Sequence, residues 1–476
     1  MTEKQRLDLA AALFIDQSRN DIFKYTQLMW PILEPGRKFI DGWHIRAICE
    51  HLEAVDRGEI RNLLINMPPG HMKSLLISVI YPSWKWLKAP SHRFISASYA
   101  QTLSTRDSVK MRDLIRSDRY QKLFRPKWSL KDDQDQKTRF TNTETGYRIA
   151  TSVGGSGTGE RADTIICDDP LNAIDSSSEL QREAVLNWWF HTMSTRDSDP
   201  KKSQRIVVMQ RLHEKDLSGA ILEKGGYEHL MLPAEFEVSR KSSTSIGWSD
   251  PRQNEGELLW PEQFGKENID KAKRDLGSSG FAGQFQQSPM PAEGGLFKRK
   301  WWKFYKERPL GHFNVVQFWD CAEKPGITND NSVCATWMET PSGYYLLDLW
   351  KNKVESPQLQ QAVLNNYEKW RHLLSAVVIE DKSAGVSTIQ WARQSTTIPV
   401  IAFNPKVSKE VRASAATPTV EAGNCYLPSG VSWVEDFIAE HEKFPKGEHD
   451  DQVDTTSMMV KYFSGTTTAK PRIRAL

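Results

Sequence analysis

Lys73 and Ser74 close a run of turn-forming residues, PPGHMKS, and far downstream Asp168 and Asp169 end a β-rich run, TIICDD. A lysine beside backbone N–H groups at a helix start can hold the β and γ phosphates of a nucleotide, and a serine hydroxyl can ligate the accompanying magnesium. The loop of Pro69, Gly70, His71, Met72, Lys73 and Ser74 is therefore a candidate ATP cradle. The common pattern GxxxxGK(S/T) has glycines where this chain has Met67 and Met72, so Gly70 and the two prolines have to shape the turn. Two carboxylates at the C-terminal end of a buried strand lie where open α/β sheets bind ligands. Asp168 would bind the magnesium, directly or through water, and Asp169 would polarise the attacking water. Gln210, at the end of RIVVMQ, is placed to sense the γ phosphate. Arg161 sits in GSGTGERAD, a glycine-rich loop leading into the strand of Asp168, and could act as an arginine finger; its plain alternative is a salt bridge with Asp163 or Glu160.

A second set of acids lies in the C-terminal part. The run 315–319 reads as a strand ending in Asp320, 332–338 and 344–349 as strands joined by a polar turn, and 377–379 as a strand ending in Glu380. Strand, hairpin, helix, strand is the ribonuclease H order. Asp450 and Asp451 precede a helix-like QVDTTSMMVKY, so a carboxylate at a helix start can meet the two at strand ends. Such carboxylates can bridge two divalent metals, which activate water and stabilise the leaving oxygen of a phosphodiester. Oxygen-only ligands favour magnesium or manganese over zinc. Which of Asp450 and Asp451 is the ligand is open at this level. Both can also cap their helix, Asp454 is expected to face solvent one turn on, and Asp381 to point to the opposite side of its strand.

The elements that position these residues alternate. Strand-like runs at 63–65, 93–100, 164–167 and 205–210 are separated by helical stretches, as a parallel sheet requires. Basic residues on the helical stretch 101–117 (Arg106, Lys110, Arg112, Arg116) are interleaved with Asp107 and Asp113, the pattern of a solvated face. Trp43 and His44 open the helix before the phosphate loop, where a purine can stack or a helix can pack on the sheet. At 476 residues more than one domain is expected, and no apolar run is long enough to cross a membrane. The first residues, MTEKQRLDLAAALFIDQ, read as an amphipathic helix rather than a secretory signal. Five cysteines, odd in number and without CxxC or Cys/His spacing, exclude a disulfide framework and a zinc site as the organising device. With 63 basic and 60 acidic residues, a nucleic-acid surface has to be a local patch.

Taken together, PPGHMKS, the glycine-rich ERAD segment, IICDDP and VVMQRLHEKDLSG resemble the ATPase half of the large terminase subunits of tailed bacteriophages. QFWDCAEKPGITNDNSV, GYYLLDLW, VVIEDKSAGVSTI, EAGNCYLP and FPKGEHDDQVDTTSMMV resemble, in order, the nuclease motifs of the same family. The resemblance implies an α/β chain: an N-terminal P-loop ATPase domain of the ASCE type with a parallel sheet (1–235), a connector (236–310), a ribonuclease H-like α/β nuclease domain (311–464) and a basic tail (465–476) expected to be disordered. It implies ATP with magnesium at one site, two magnesium or manganese ions at the other, and double-stranded DNA bound largely without regard to sequence. The implied partners are a portal protein, a small terminase subunit and further copies of the chain in a ring. The implied location is the host bacterial cytoplasm and, transiently, the procapsid, but not the mature virion. Other readings are a helicase-type nuclease of repair or restriction and a docking subunit that binds ATP without turning it over. Many ATPases of this division carry Glu after the magnesium-binding Asp, so either Asp169 serves or Glu160 or Glu179 substitutes.

Overall fold

The computed structural model describes residues 3–155, 159–289, 295–322, 331–447 and 449–466. It divides into two compact units, Met1–Met290 and Pro291–Leu476. Residues 467–476 of the tail, and 156–158 of the glycine-rich loop, lie outside the described residues.

The first unit is built on strands β1 (Asn62–Asn66), β2 (Phe94–Ser98), β3 (Leu130–Asp135), β4 (Arg139–Asn142), β5 (Tyr147–Ser152), β6 (Thr164–Asp168), β7 (Gln204–Met209) and β8 (Glu228–Met231). They form one sheet in the order β3-β4-β5-β2-β6-β7-β1-β8. All neighbours from β5 to β8 are parallel, and β3 and β4 add an antiparallel edge. A parallel sheet is covered on both faces, which is why β1, β2, β6 and β7 read as near-continuous apolar runs. Their alternation is visible in the packing. Leu63, Ile65, Ile166, Ile206 and Val208 enter one core, whereas Leu64, Ile165, Cys167 and Val207 enter the other. Because β7 lies between β1 and β6, the loop after β1 and the aspartates after β6 emerge at the same end of the sheet, about 10 Å apart at two strand spacings. That gap is within reach of a lysine side chain.

The stretch read as a connector is divided between the units. Leu259 and Trp260 are buried in the first core, with Trp248 and Phe264 packed against it, whereas Phe297 and Trp302 belong to the core of the second unit.

The second unit has β9 (Lys303–Tyr305), β10 (Asn314–Asp320), β11 (Ser332–Thr340), β12 (Gly343–Asn352), β13 (Leu374–Glu380), β14 (Val400–Phe403) and β15 (Cys425–Pro428). The sheet order is β14-β13-β10-β11-β12-β15-β9. β10, β11 and β12 are antiparallel, and β13 pairs parallel with β10. The α/β class and the ribonuclease H strand order expected from the sequence are those observed. Val316, Phe318, Ala376 and Val378 pack toward the helices Lys409–Glu421, Trp433–Lys443 and Asp451–Thr466. On the opposite face Trp319, Val377 and Ile379 pack toward Ser356–Trp370 and Ala384–Ser395. Among the described residues, no helix is long and apolar enough to cross a membrane.

Candidate active sites

In the first unit the loop leaves β1 and turns at Gly70 and Met72, both at positive φ (80° and 65°). Glycine accepts this at no steric cost, whereas a methionine there costs roughly 1 kcal/mol or more. The sequence assigned the turn to Gly70 and the prolines; the structure adds Met72. Met67 is fully buried core. At Gly70 a Cβ would also come within 2.8 Å of the Phe264 ring, which stacks on His71 at 4.5 Å. Trp43 and His44 take the packing role. His44 is buried 4.8 Å from the Trp260 ring and 5.7 Å from His71, and Trp43 stacks on Trp248.

Beyond the loop Lys73 is buried, and its Nζ donates to Asp169 at 2.9 Å. The hydroxyls of Ser74 and Ser78 donate to the two oxygens of Asp168, each at 3.0 Å. Burial, then the carboxylates of Asp169 and Asp107, push the Asp168 carboxyl up to about 7. A divalent cation between Ser74 and Asp168 would reverse that cost. Asp169 is held by the Gln210 backbone N–H (3.2 Å to Oδ1), and its own N–H donates to Val208. Gln210 Oε1 is buried without a hydrogen-bond partner among the described residues. Ser74, Tyr99, Arg106, Asp168, Asp169 and Gln210 line one cavity, which holds four of the residues that the sequence singled out for ATP; Pro69, Gly70, His71, Met72 and Lys73 are not part of its lining, Lys73 meeting it through Asp169.

Arg161 is not among that lining. It is exposed, and its guanidinium donates to the Asp197 carbonyl at 3.1 Å. Its expected ion-pair partners are engaged elsewhere: Glu160 pairs with Arg139, and Asp163 accepts from the Arg93 backbone. Glu179 is exposed at the start of its helix and is likewise absent from the lining. The residue that sequence reasoning missed is Arg106, placed on a solvated face but lining the cavity while paired with Asp107 at 2.8 Å. The signal was its position on the first turns after β2, whose C-terminal end opens on the same side of the sheet.

In the second unit Asp320 ends β10 and Glu380 ends the neighbouring strand β13. Gly385 lets the following helix approach this strand end, since a Cβ there would lie 2.0 Å from the Glu380 carbonyl oxygen. The third carboxylate is Asp454: ligand atoms of Asp320, Glu380 and Asp454 all lie within 4.8 Å of one another. This corrects the expectation that Asp454 faces solvent. It is 2% exposed, because the helix Asp451–Thr466 is buried on every side through Val460 and offers no solvent face there. Asp450 and Asp451 stand beside the group rather than in it. Asp450 accepts from Lys409 at 2.8 Å, and buried Asp451 accepts from the Asn331 backbone at 3.1 Å.

Two cations neutralise the group. Arg412 bonds both Glu380 (3.3 Å) and Asp454, and Lys409 reaches Asp454 at 2.7 Å. Burial, then Asp454, raises the Asp320 carboxyl well above its ordinary range. Asp320 Oδ2 is buried with no hydrogen-bond partner among the described residues. An orphaned carboxylate oxygen within an all-oxygen donor set fits magnesium or manganese, and two such ions would add Asp450 or Asp451 to the ligands.

Residues 317–463 match the terminase RNaseH-like domain family. The large terminase of a thermophilic bacteriophage is similar in structure. One crystal form of it aligns at 12% identity and a TM-score of 0.51, covering 92% of this chain and 98% of that chain. Another, in complex with ADP, aligns at 11% identity and a TM-score of 0.50, covering 91% of this chain and 98% of that chain. At these identities the likeness is one of fold. No curated protein matches the sequence. The family match thus lies within the second unit, and the chain as a whole shares the fold of that large terminase.

Proposed function

We propose that the chain works as a phage DNA-packaging motor and nuclease: ATP hydrolysis in the first unit drives double-stranded DNA into a procapsid, and the second unit cuts concatemeric DNA. The observation that carries this reading is the pairing of Lys73 and Ser74 with Asp169 and Asp168 in a unit separate from the carboxylates of Asp320, Glu380 and Asp454. The thermophilic phage enzyme bound to ADP lends it support.

At the ATPase site Lys73 would exchange Asp169 for the β and γ phosphates, and Ser74 with Asp168 would hold the magnesium that accompanies ATP. Asp169, released from Lys73 but still fixed by the Gln210 N–H, would then orient the attacking water. Gln210 would offer its side-chain amide to the γ phosphate. At the nuclease site, divalent ions when bound supply an activated water and stabilise the leaving oxygen. Asp320, Glu380 and Asp454 would hold them, and Arg412 would fix the carboxylates of Glu380 and Asp454 in orientation. DNA would be engaged through its phosphates, largely independent of sequence. A portal protein, a small terminase subunit and further copies of the chain in a ring would complete the motor in the host cytoplasm and at the procapsid.

ATP turnover measured with and without procapsids tests the reading. Stimulation by procapsids is expected. A helicase-type nuclease would respond to DNA but not to procapsids, and a docking subunit would show no turnover in either condition.

A further inference from the structure

Lys409 and Arg412 lie one turn apart on the helix Lys409–Glu421 and both point into the carboxylate group, but they are held differently. Arg412 is 7% exposed and anchored on three sides, by the Val407 carbonyl (3.2 Å), Glu380 and Asp454. Lys409 occupies the first position of its helix and is 37% exposed. Among the described residues its ammonium is held by carboxylates alone, 2.8 Å from Asp450 and 2.7 Å from Asp454. It thus sits as a compact, single-point cation bridging two acids, which is the place and the coordination role a metal ion would take. A lysine stem with one open side can swing into water at little steric cost, whereas the guanidinium fork of Arg412 cannot leave without stranding two buried acids.

We propose that Lys409 is an exchangeable counter-cation: it holds the acid group together in the metal-free protein and is displaced from Asp450 and Asp454 when divalent ions enter, while Arg412 stays. Formal charge agrees with this division. Asp320, Glu380, Asp450, Asp451 and Asp454 are matched by two divalent ions and Arg412 alone, leaving no role inside the cluster for a second side-chain cation. The displaced ammonium would face solvent, where the phosphates of DNA approach. The inference rests on the reading of this group as a metal centre.

The test is Mn2+ binding by the full chain, measured calorimetrically without DNA, together with thermal unfolding in EDTA. Wild type should bind Mn2+, and Asp320→Asn should lose that binding. Lys409→Met should unfold at lower temperature than wild type in EDTA yet bind Mn2+ about tenfold tighter, because the metal no longer has to break an ion pair. Should Lys409→Met fail to fold, Lys409→Gln decides by the same readouts: tighter Mn2+ binding with a lower unfolding temperature in EDTA supports the exchange, and unchanged or weaker binding overturns it. Unchanged or weaker Mn2+ affinity in folded Lys409→Met, with wild-type binding intact, overturns the proposal alone. No Mn2+ binding by wild type removes the metal centre itself, and the exchange with it.

Discussion

The ammonium of Lys73 lies 2.9 Å from Oδ1 and 2.8 Å from Oδ2 of Asp169, so the cation of the phosphate loop rests on the carboxylate proposed to orient the attacking water. On the proposed reading, this ion pair occupies both groups until nucleotide binding separates them, since the phosphates would offer Lys73 more negative charge than one carboxylate does.

Lys73→Ala should reduce ATP turnover by at least about 10²-fold, the scale on which a transition-state charge contact acts. Plasmid cleavage with manganese should remain measurable, since its carboxylates belong to a different compact unit. Concurrent loss of both activities in a folded variant would refute the two-site arrangement.

Asp454→Asn should abolish cleavage while leaving ATP turnover near wild type. An amide cannot supply the charge that holds a divalent ion, and it also leaves the buried Arg412 short of one carboxylate. Nuclease assays alongside ATPase assays decide the matter, and full cleavage by Asp454→Asn would remove this residue from the site. Asp320→Asn serves as the parallel case at the strand end.

Much of this arrangement was legible in the chain itself. Strands buried on both faces appear as unbroken apolar runs, so Leu63–Ile65 and Thr164–Asp168 could be read with their polar ends in place. Asp454 could not, because a helix is ordinarily read by assuming one face in water. In QVDTTSMMV the polar residues are buried, and the three hydroxyls have partners: Thr455 donates to the Gln452 carbonyl, Ser457 to that of Val453, and Thr456 pairs with buried His441. Polarity in that helix marks a hydrogen-bonded interior. The loop's buttress was obscured for another reason. Trp248, Trp260 and Phe264 are isolated aromatics in a polar stretch, without the periodicity that announces a core element.

His71 in the loop after β1 and His44 beside it predict an acid response. Burial first, then the neighbouring His71 and Arg252 charges, lowers His44 to about 3, and burial lowers His71 to about 4. Both folded values lie below the unfolded one, so their contribution to stability is complete above about pH 6.5 and declines as pH falls toward the folded values. Each should cost about 1.4 kcal/mol per pH unit within that window. The unfolding temperature of the first unit, followed by tryptophan fluorescence, should drop between pH 7.5 and pH 5.5. His44→Phe, which keeps an aromatic ring beside Trp260, should make the drop smaller; an equal drop in that variant would assign the response to other groups.

The two arginines near the ATP site make opposite predictions about where each acts. Arg106 lines the cavity of its own chain, so a contribution from it to turnover would be made in cis. Arg161 is exposed and bonded to the Asp197 carbonyl, on a loop whose described residues do not line that cavity, so a finger role for it requires the site of a neighbouring copy in a ring. Arg161→Ala should then retain ATP affinity but lose procapsid-stimulated turnover by about 10³-fold, as removal of an arginine finger does. Mixing Arg161→Ala with Lys73→Ala should restore part of the rate, because one copy supplies the arginine and the other the phosphate loop. Mixing Arg106→Ala with Lys73→Ala should restore none, since neither copy then holds a complete pocket. Recovery in the Arg106 mixture would place that residue in trans. Full stimulated turnover by Arg161→Ala alone would leave its guanidinium with no task beyond holding Asp197.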